Sequence, residues 1–90
     1  MPERRVVVGS KVGLHARPAA LFVQAAARQP VKVTIAKDGR PPVDAKSILA
    51  VLGLDVRGGE EVILGAPEGE EAEAALDELA GVVATDHDAK

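Results

Sequence analysis

The chain is 90 residues long, which predicts a single small domain over residues 1–90. With 11 basic and 14 acidic residues, a net charge of −3 and Phe22 as its only aromatic residue, it lacks the features typical of nucleic-acid-binding domains. We therefore expect no nucleic-acid partner. No apolar run approaches the length of a membrane span, so we expect no membrane partner either. The absence of cysteine excludes disulfides and thiolate metal sites and agrees with a cytoplasmic location.

The first predicted elements are a strand and a helix. Arg4–Val8 ends in three valines and predicts a short strand, and Leu14–Arg28 is rich in residues that favour helices. Pro18 is tolerated only in the first turn of a helix, where backbone N–H groups have no intrahelical partner. The helix is therefore expected to begin near His15 or Ala16. Its predicted core face carries Ala19, Phe22 and Ala26.

A hairpin is predicted next. Residues 31–36 alternate between two faces, and Asp38-Gly39 is typical of a hairpin turn. One face carries Val31, Val33 and Ile35, and the other carries Lys32, Thr34 and Ala36. Because Pro41 and Pro42 cannot donate to a sheet ladder, the returning strand is expected to be short and to lie at a sheet edge.

The rest of the chain predicts a helix, a strand and a helix. Ser47–Leu54 is expected to be a short helix with Ser47 as its N-cap, and Val62–Ala66 is expected to be a strand. Residues 86–90 are expected to fray. The buried stripe of the last helix is predicted to consist of Ala72, Leu76, Leu79 and Val83.

This βαββαβα order predicts an α+β fold, in which a four-stranded antiparallel sheet carries three helices on one face. A split βαβ arrangement places the last strand between the first and the second.

The most informative stretch is the octapeptide 13–20, Gly-Leu-His-Ala-Arg-Pro-Ala-Ala. The free amides of Ala16 and Arg17, the helix dipole and the Arg17 guanidinium are expected to hold a phosphoryl group beside the ring of His15. The same positive groups disfavour an imidazolium, so we expect a neutral ring whose lone pair can attack phosphorus. This chemistry requires neither a metal nor a cofactor.

The alternative is that His15 merely caps the helix or is exposed, as most histidines near a helix start are. His87, between two aspartates near the chain end, fits that interpretation, and its spacing matches no dedicated metal site. His15 differs because Gly13, Arg17 and Pro18 all fit the same local geometry.

The octapeptide resembles the active-site motif of the HPr family, the histidine-containing phosphocarriers of the bacterial phosphotransferase system. Residues 44–54, Asp-Ala-Lys-Ser-Ile-Leu-Ala-Val-Leu-Gly-Leu, are similar to that family's regulatory-serine segment. Length, element order and the gap between the motifs also fit, so the resemblance covers residues 4–85. It implies the family's fold, an open-faced β-sandwich.

The resemblance implies that His15 accepts phosphate, at Nδ1 in this family, from phosphorylated enzyme I and passes it to the A domains of sugar-specific enzyme II. The phosphate originates from phosphoenolpyruvate. Such a carrier has no turnover of its own, so we expect a monomeric phosphocarrier and not a free-standing enzyme. An alternative is a carrier for a nitrogen-related or dihydroxyacetone-kinase branch, which differs only in its acceptors.

Ser47 has two interpretations. From the residues alone it is a helix cap. The resemblance implies phosphorylation by an HPr kinase/phosphorylase and a transcription regulator as a partner, so a second alternative is a regulatory binding protein that acts through phosphorylated Ser47. Asp44 departs from the asparagine that is usual in the family.

A docking surface is predicted around the short helix, because Ile48, Leu49 and Leu52 cannot all face inward together with Val51. An apolar patch with a basic rim suits a carrier that binds one donor and several acceptors. The resemblance implies that these partners present acidic rims. The residues predicted for docking are Ala16, Ala20, Leu21, Gln24, Lys46, Ile48, Leu49 and Leu52.

Overall fold

A computed structural model describes residues 2–11 and 13–85, and it describes Ala16 by its backbone alone. The described elements follow the predicted order βαββαβα. The predicted tail 86–90, with His87, lies outside the described residues. The elements are β1 (Glu3–Val7), α1 (Ala16–Ala27), β2 (Thr34–Lys37), β3 (Val43–Asp44), α2 (Ile48–Gly53), β4 (Glu61–Gly65) and α3 (Ala72–Ala84).

The strands form a four-stranded sheet in the order β1-β4-β2-β3, with antiparallel pairing throughout. The last strand therefore lies between the first and the second, which confirms the predicted split arrangement. β1 pairs with β4 from Glu3 opposite Gly65 to Val7 opposite Glu61. β3 has only two residues and lies at the sheet edge, as the two prolines before it predict.

The second strand is shorter at its start than predicted. It begins at Thr34, whereas the alternation of residues 31–36 places its start at Val31. Thr34 pairs with Gly65, the last residue of β4, so the ladder on that side ends where β4 ends. Val33 is nevertheless fully buried, and its carbonyl accepts a hydrogen bond from the N–H of Ala45.

The core lies between the sheet and the helices. Ile35, Val62 and Leu64 are buried on the helical side, while Glu3, Arg5 and Val7 of β1 are exposed on the open face. The predicted face of α1 is confirmed, because Ala19, Phe22 and Ala26 are fully buried. The predicted stripe of α3 is buried as well, and it consists of Ala72, Leu76, Leu79 and Val83, with Ala75 beside them.

The helices place two loops next to each other. α1 packs against both α3 and α2. Residues 8–11 and 13–15 lie between β1 and α1, and residues 54–60 lead from α2 into β4. Both loops lie at the same end of the molecule, because Val7 at the end of β1 pairs with Glu61 at the start of β4. None of the helices that the structure describes is long and apolar enough to span a membrane.

Candidate functional site

His15 is the N-cap residue of α1. Its backbone is extended, with φ −130° and ψ 160°, and its side chain makes no capping hydrogen bond. The helix begins at Ala16, as Pro18 predicts, so the amides of the first turn have no intrahelical partner. No acidic side chain lies in this first turn to offset the positive end of the helix.

The His15 side chain is 37% exposed, so the ring is accessible to a docking protein. A ring used as a cap would be occupied by the amides of α1, whereas this ring leaves them free for another acceptor. The geometry therefore presents an accessible imidazole at the same helix end as unpaired backbone donors.

The loop before His15 is fixed by backbone contacts. Gly13 has φ 77°, in the left-handed region that favours glycine, and its N–H donates to the carbonyl of Ser10 at 3.1 Å. Leu14 is buried, and its N–H donates to the carbonyl of Val56 at 3.0 Å. A Cβ at Gly13 would lie 2.1 Å from the Val56 oxygen. These contacts hold the His15 loop against the loop that follows α2.

The same two loops meet at Gly58. A Cβ at this position would lie 2.6 Å from the carbonyl oxygens of both Ser10 and Lys11. Real Cβ atoms do not approach backbone atoms so closely, so the two loops can be in contact at this point only because residue 58 is glycine. Residues on the second loop are thereby brought within reach of His15.

Asp55 is the residue that this contact places at the site. Its Oδ1 lies 3.4 Å from Nε2 of His15. Sequence analysis missed Asp55, because it lies far from His15 in the chain and belongs to no motif that points to the ring. The predicted neutral ring stays a prediction.

Arg17 lies in the first turn of α1, two residues after His15, and its side chain is exposed. It forms no ion pair with any other residue in 2–11 and 13–85. Within those residues its guanidinium has no carboxylate partner, and its predicted role toward an anion stays a prediction. Across the same described ranges, no group of three or more His, Cys, Asp or Glu side chains could hold a metal ion.

Ser47 is the N-cap of α2, which confirms the cap prediction. Its Oγ accepts a hydrogen bond from the N–H of Ala50 at 3.3 Å, and its backbone is extended. Asp44 turns the chain just before this cap, because its Oδ1 accepts the N–H of Lys46 at 2.9 Å. Ser47 is half-buried, and the helix that it caps has six residues. The turn before it is closed by the Asp44 carboxylate.

Two apolar side chains of α2 point into solvent. Leu49 is 80% exposed and Ile48 is 38% exposed, whereas Val51 is fully buried. This division follows the prediction that the apolar residues of α2 cannot all face inward. Of the other residues predicted for docking, Ala20, Leu21 and Leu52 are half-buried, Gln24 and Lys46 are exposed, and the side chain of Ala16 lies outside the described part.

Comparison with known proteins yields a family match over nearly the whole chain. Residues 2–85 match the family model PTS-HPr, described as the PTS HPr component phosphorylation site. The phosphocarrier protein HPr of Streptomyces coelicolor is 60% identical over 84 residues, which cover 93% of this chain and 89% of that protein. A crystal structure of HPr from Bacillus anthracis has a TM-score of 0.83 at 45% identity, covering 91% of this chain and 95% of that one.

A third similar protein is Crh of Bacillus subtilis, a catabolite repression protein. Its crystal structure is 48% identical to this chain, has a TM-score of 0.69, and covers 92% of this chain and 93% of that one. That structure is a dimer with a swapped domain.

Proposed function

Because the chain belongs to the HPr family, whose members are phosphocarrier components of the phosphotransferase system, we propose that its phosphoryl acceptor is His15. Phosphorylated enzyme I is the donor, and an A domain of a sugar-specific enzyme II is the acceptor. The observation that carries the proposal is the position of His15 at the start of α1, with an accessible ring and no capping bond.

The transfer is a displacement at phosphorus. The lone pair of one ring nitrogen of His15 forms a bond to phosphorus, and the bond from phosphorus to the donor breaks, with its electron pair leaving on the donor group. The chain supplies position and charge stabilisation. The first-turn amides of Ala16 and Arg17 hold phosphoryl oxygens, and the Arg17 guanidinium offsets their negative charge.

A second transfer passes the phosphoryl group from His15 to the acceptor protein. The phosphoryl group gains the same stabilisation at the start of α1 whichever partner is docked, so loading and unloading share one site. The protein is a carrier that requires a donor and an acceptor, and it functions in the cytoplasm without a cofactor.

The partners dock on the surface formed by α1 and α2. Leu49 and Ile48 supply exposed apolar contact, and Lys46 and Arg17 supply basic groups that are exposed. A buried apolar centre with a charged rim gives affinity at the centre and orientation at the rim. The same surface serves enzyme I and the acceptor because the reacting ring must face both.

The test is incubation with enzyme I and labelled phosphoenolpyruvate, followed by mapping of the label. We expect one acid-labile phosphate on His15 and transfer of the label to an added enzyme II A domain. His15→Ala should abolish labelling, and His87→Ala is the matched control that should retain it. Label retained in His15→Ala, or lost in His87→Ala, would contradict the proposal.

A second function is regulatory and concerns Ser47. Its hydroxyl caps α2 next to the exposed Leu49, so a phosphate there adds charge to the docking surface without requiring a new fold. The similarity to Crh, a catabolite repression protein, favours this role. We infer that an HPr kinase/phosphorylase modifies Ser47 and that a transcription regulator binds the product; acid-stable label on Ser47 after kinase treatment tests this.

The acceptor branch and the assembly are proposals with separate tests. Purified A domains from sugar, nitrogen-related and dihydroxyacetone-kinase branches, offered to the labelled protein, identify the acceptor by which of them takes the label. We propose that the protein is a monomer in which the four described strands form one sheet. Sedimentation across a range of concentrations tests the monomer against a dimer such as that of Crh.

A further inference from the structure

Asp55 combines two features that the proposed transfer through His15 does not explain. Its backbone has φ 53°, and it is the one non-glycine residue with positive φ in the described part of the chain. Its carboxylate oxygen Oδ1 lies 3.4 Å from Nε2 of His15. Few residues other than glycine, asparagine and aspartate adopt this left-handed conformation, so the turn restricts the residue type at the position where a carboxylate meets the ring.

The backbone of Asp55 is held from the sheet. Nζ of Lys37, the last residue of β2, donates to the Asp55 carbonyl at 2.9 Å. The same ammonium lies 3.1 Å from Oε1 of Glu60. That Glu60 oxygen also accepts the N–H of Arg57 at 2.7 Å. Both sides of the Asp55 turn are therefore tied to one ion pair.

The side chain of Asp55 is held as well. Its Oδ2 lies 3.6 Å from the guanidinium of Arg57, while its Oδ1 faces His15. The two carboxylate oxygens thus have different partners, with Arg57 beside Oδ2 and His15 beside Oδ1. Because the Asp55 side chain is 54% exposed, water screens these contacts and their effects are moderate.

We propose that Asp55 is a positioning residue for the reacting histidine: it keeps the proton of the neutral ring on Nε2 and so leaves the lone pair on Nδ1. A carboxylate oxygen facing a bare Nε2 would set two lone pairs against each other, whereas an N–H there is attracted. In neutral imidazole one nitrogen carries the proton and the other is the nucleophile, so fixing Nε2–H selects Nδ1.

The same carboxylate acts after attack, a step that rests on the proposed function. When the Nδ1 lone pair forms the bond to phosphorus, the ring keeps its Nε2 proton and gains a positive charge, and the donor group leaves with its bonding electrons. That charge develops beside Asp55. The carboxylate therefore stabilises the phosphorylated ring, while Arg17 and the first-turn amides stabilise the phosphoryl oxygens.

Three variants separate these effects. Asp55→Asn tolerates the left-handed backbone and keeps an acceptor oxygen, but it removes the charge. Asp55→Gly keeps the backbone conformation and removes both the charge and the acceptor. Asp38→Asn is the matched control, because it makes the same charge change at an exposed residue whose nearest cation, Arg5, is 3.8 Å away.

The first measurement uses the unphosphorylated protein. Ring ¹⁵N chemical shifts report which nitrogen of His15 carries the proton, and they do not depend on any transfer reaction. We expect a single Nε2–H tautomer in the wild-type protein and in Asp38→Asn, and a mixture of both tautomers in Asp55→Gly. Asp55→Asn should recover most of the Nε2–H form. Equal tautomer populations in the wild-type protein and Asp55→Gly would overturn the proposal.

The second measurement follows the phosphorylated protein. The ³¹P shift of phospho-His15, recorded against pH, gives the midpoint at which the ring loses its Nε2 proton. Both Asp55 variants should lower this midpoint, since the opposite charge that lies 3.4 Å from Nε2 has been removed. Arg17, Arg57, Lys37 and Glu60 are unchanged in every variant. A midpoint that moves equally in Asp38→Asn would show a general charge effect and would overturn the role of Asp55.

The two measurements distinguish this inference from the proposed function. If enzyme I fails to phosphorylate the wild-type protein, the proposed function fails, while the ¹⁵N result still decides the role of Asp55 toward the ring. If labelling succeeds and the tautomer and the midpoint are unchanged in both Asp55 variants, Asp55 is not a positioning residue and the carrier function stands.

Discussion

The peptide N–H of Leu14 donates to the carbonyl of Val56 at 3.0 Å, and among the bonds between the two loops this one lies next to both His15 and Asp55. The bond requires the chain to approach Val56 closely one residue earlier, at Gly13. The position of His15 at the start of α1 therefore depends on backbone contacts between the two loops.

Gly13→Ala should destabilise the fold and displace His15. The added Cβ would meet the Val56 oxygen at 2.1 Å, and φ 77° is unfavourable for alanine. We expect a loss of about 3 kcal/mol in the free energy of unfolding, measured by chemical denaturation. Gly39→Ala is the matched control. It has φ 83° and nothing within 4 Å of the new Cβ, so it should lose only about 1 kcal/mol. Equal losses in the free energy of unfolding would mean that the close contact with Val56 adds nothing to the cost of alanine at position 13.

Arg17→Ala should slow phosphoryl transfer from enzyme I by about a hundredfold, because it removes a cation that offsets the charge developing on the phosphoryl oxygens. Arg17 is exposed and forms no ion pair with the rest of the described chain, so the fold should keep its stability. Rapid-quench labelling gives the rate, and thermal unfolding checks the fold. Arg17→Lys keeps the charge but loses the planar fork, and it should recover part of the rate. A rate in Arg17→Ala equal to that of the wild-type protein would remove Arg17 from the mechanism.

Ser47→Ala should lower the free energy of unfolding by about 1 kcal/mol, because the N–H of Ala50 loses its capping oxygen. Ser47→Asp restores a capping oxygen and places a carboxylate at the start of α2, so its stability should stay near that of the wild-type protein. If phosphorylated Ser47 acts through charge on the docking surface, Ser47→Asp should still weaken transfer from enzyme I. A Ser47→Asp protein that accepts phosphate as fast as the wild-type protein would argue against that charge effect.

Leu49→Ala should weaken docking without weakening the fold. Leu49 is 80% exposed, so its truncation leaves the core intact, whereas a partner that covers it would lose apolar contact. We expect the KM of enzyme I for this carrier to rise about tenfold, with little change in the free energy of unfolding. Val51→Ala, a buried residue of the same helix, is the matched control and should lose about 2 kcal/mol of stability with little direct effect on KM. An unchanged KM in Leu49→Ala would place the docking surface elsewhere.

Much of the fold can be read from residue patterns, because those patterns report local preferences. Pro18 marks the first turn of α1, and Ser47 marks the cap of α2. The start of β2 could not be predicted, because the ladder beside Thr34 ends where β4 ends, and that length is a property of the partner strand. Nor could Asp55 be predicted to meet His15, because their contact depends on how closely two distant loops approach.

The acid side of the stability profile should depend on Glu60. The N–H of Arg57 and, after it, the Lys37 ammonium lower the pKa of this carboxyl below its ordinary value of 4.5. The folded protein therefore binds this proton less readily than the unfolded chain does. The contribution of Glu60 is fully present well above pH 4.5, and it is lost as the pH falls from there through the lowered pKa of the folded state.

Glu60→Gln tests this dependence. The variant should be less stable than the wild-type protein at neutral pH, and the difference in the free energy of unfolding should shrink as the pH falls below 4.5, as measured by urea denaturation across a pH series.

The same variant should change the ¹⁵N chemical shifts of the His15 ring, because the Glu60 oxygen also helps to hold the Asp55 turn through Arg57 and Lys37. Glu61→Gln is the control: its carboxylate pairs with Arg5 on the open face of the sheet, so the His15 shifts should stay constant. The prediction would be contradicted if the stability difference between Glu60→Gln and the wild-type protein stayed constant to the lowest pH measured. The contacts of Glu60 would then not depend on its charge.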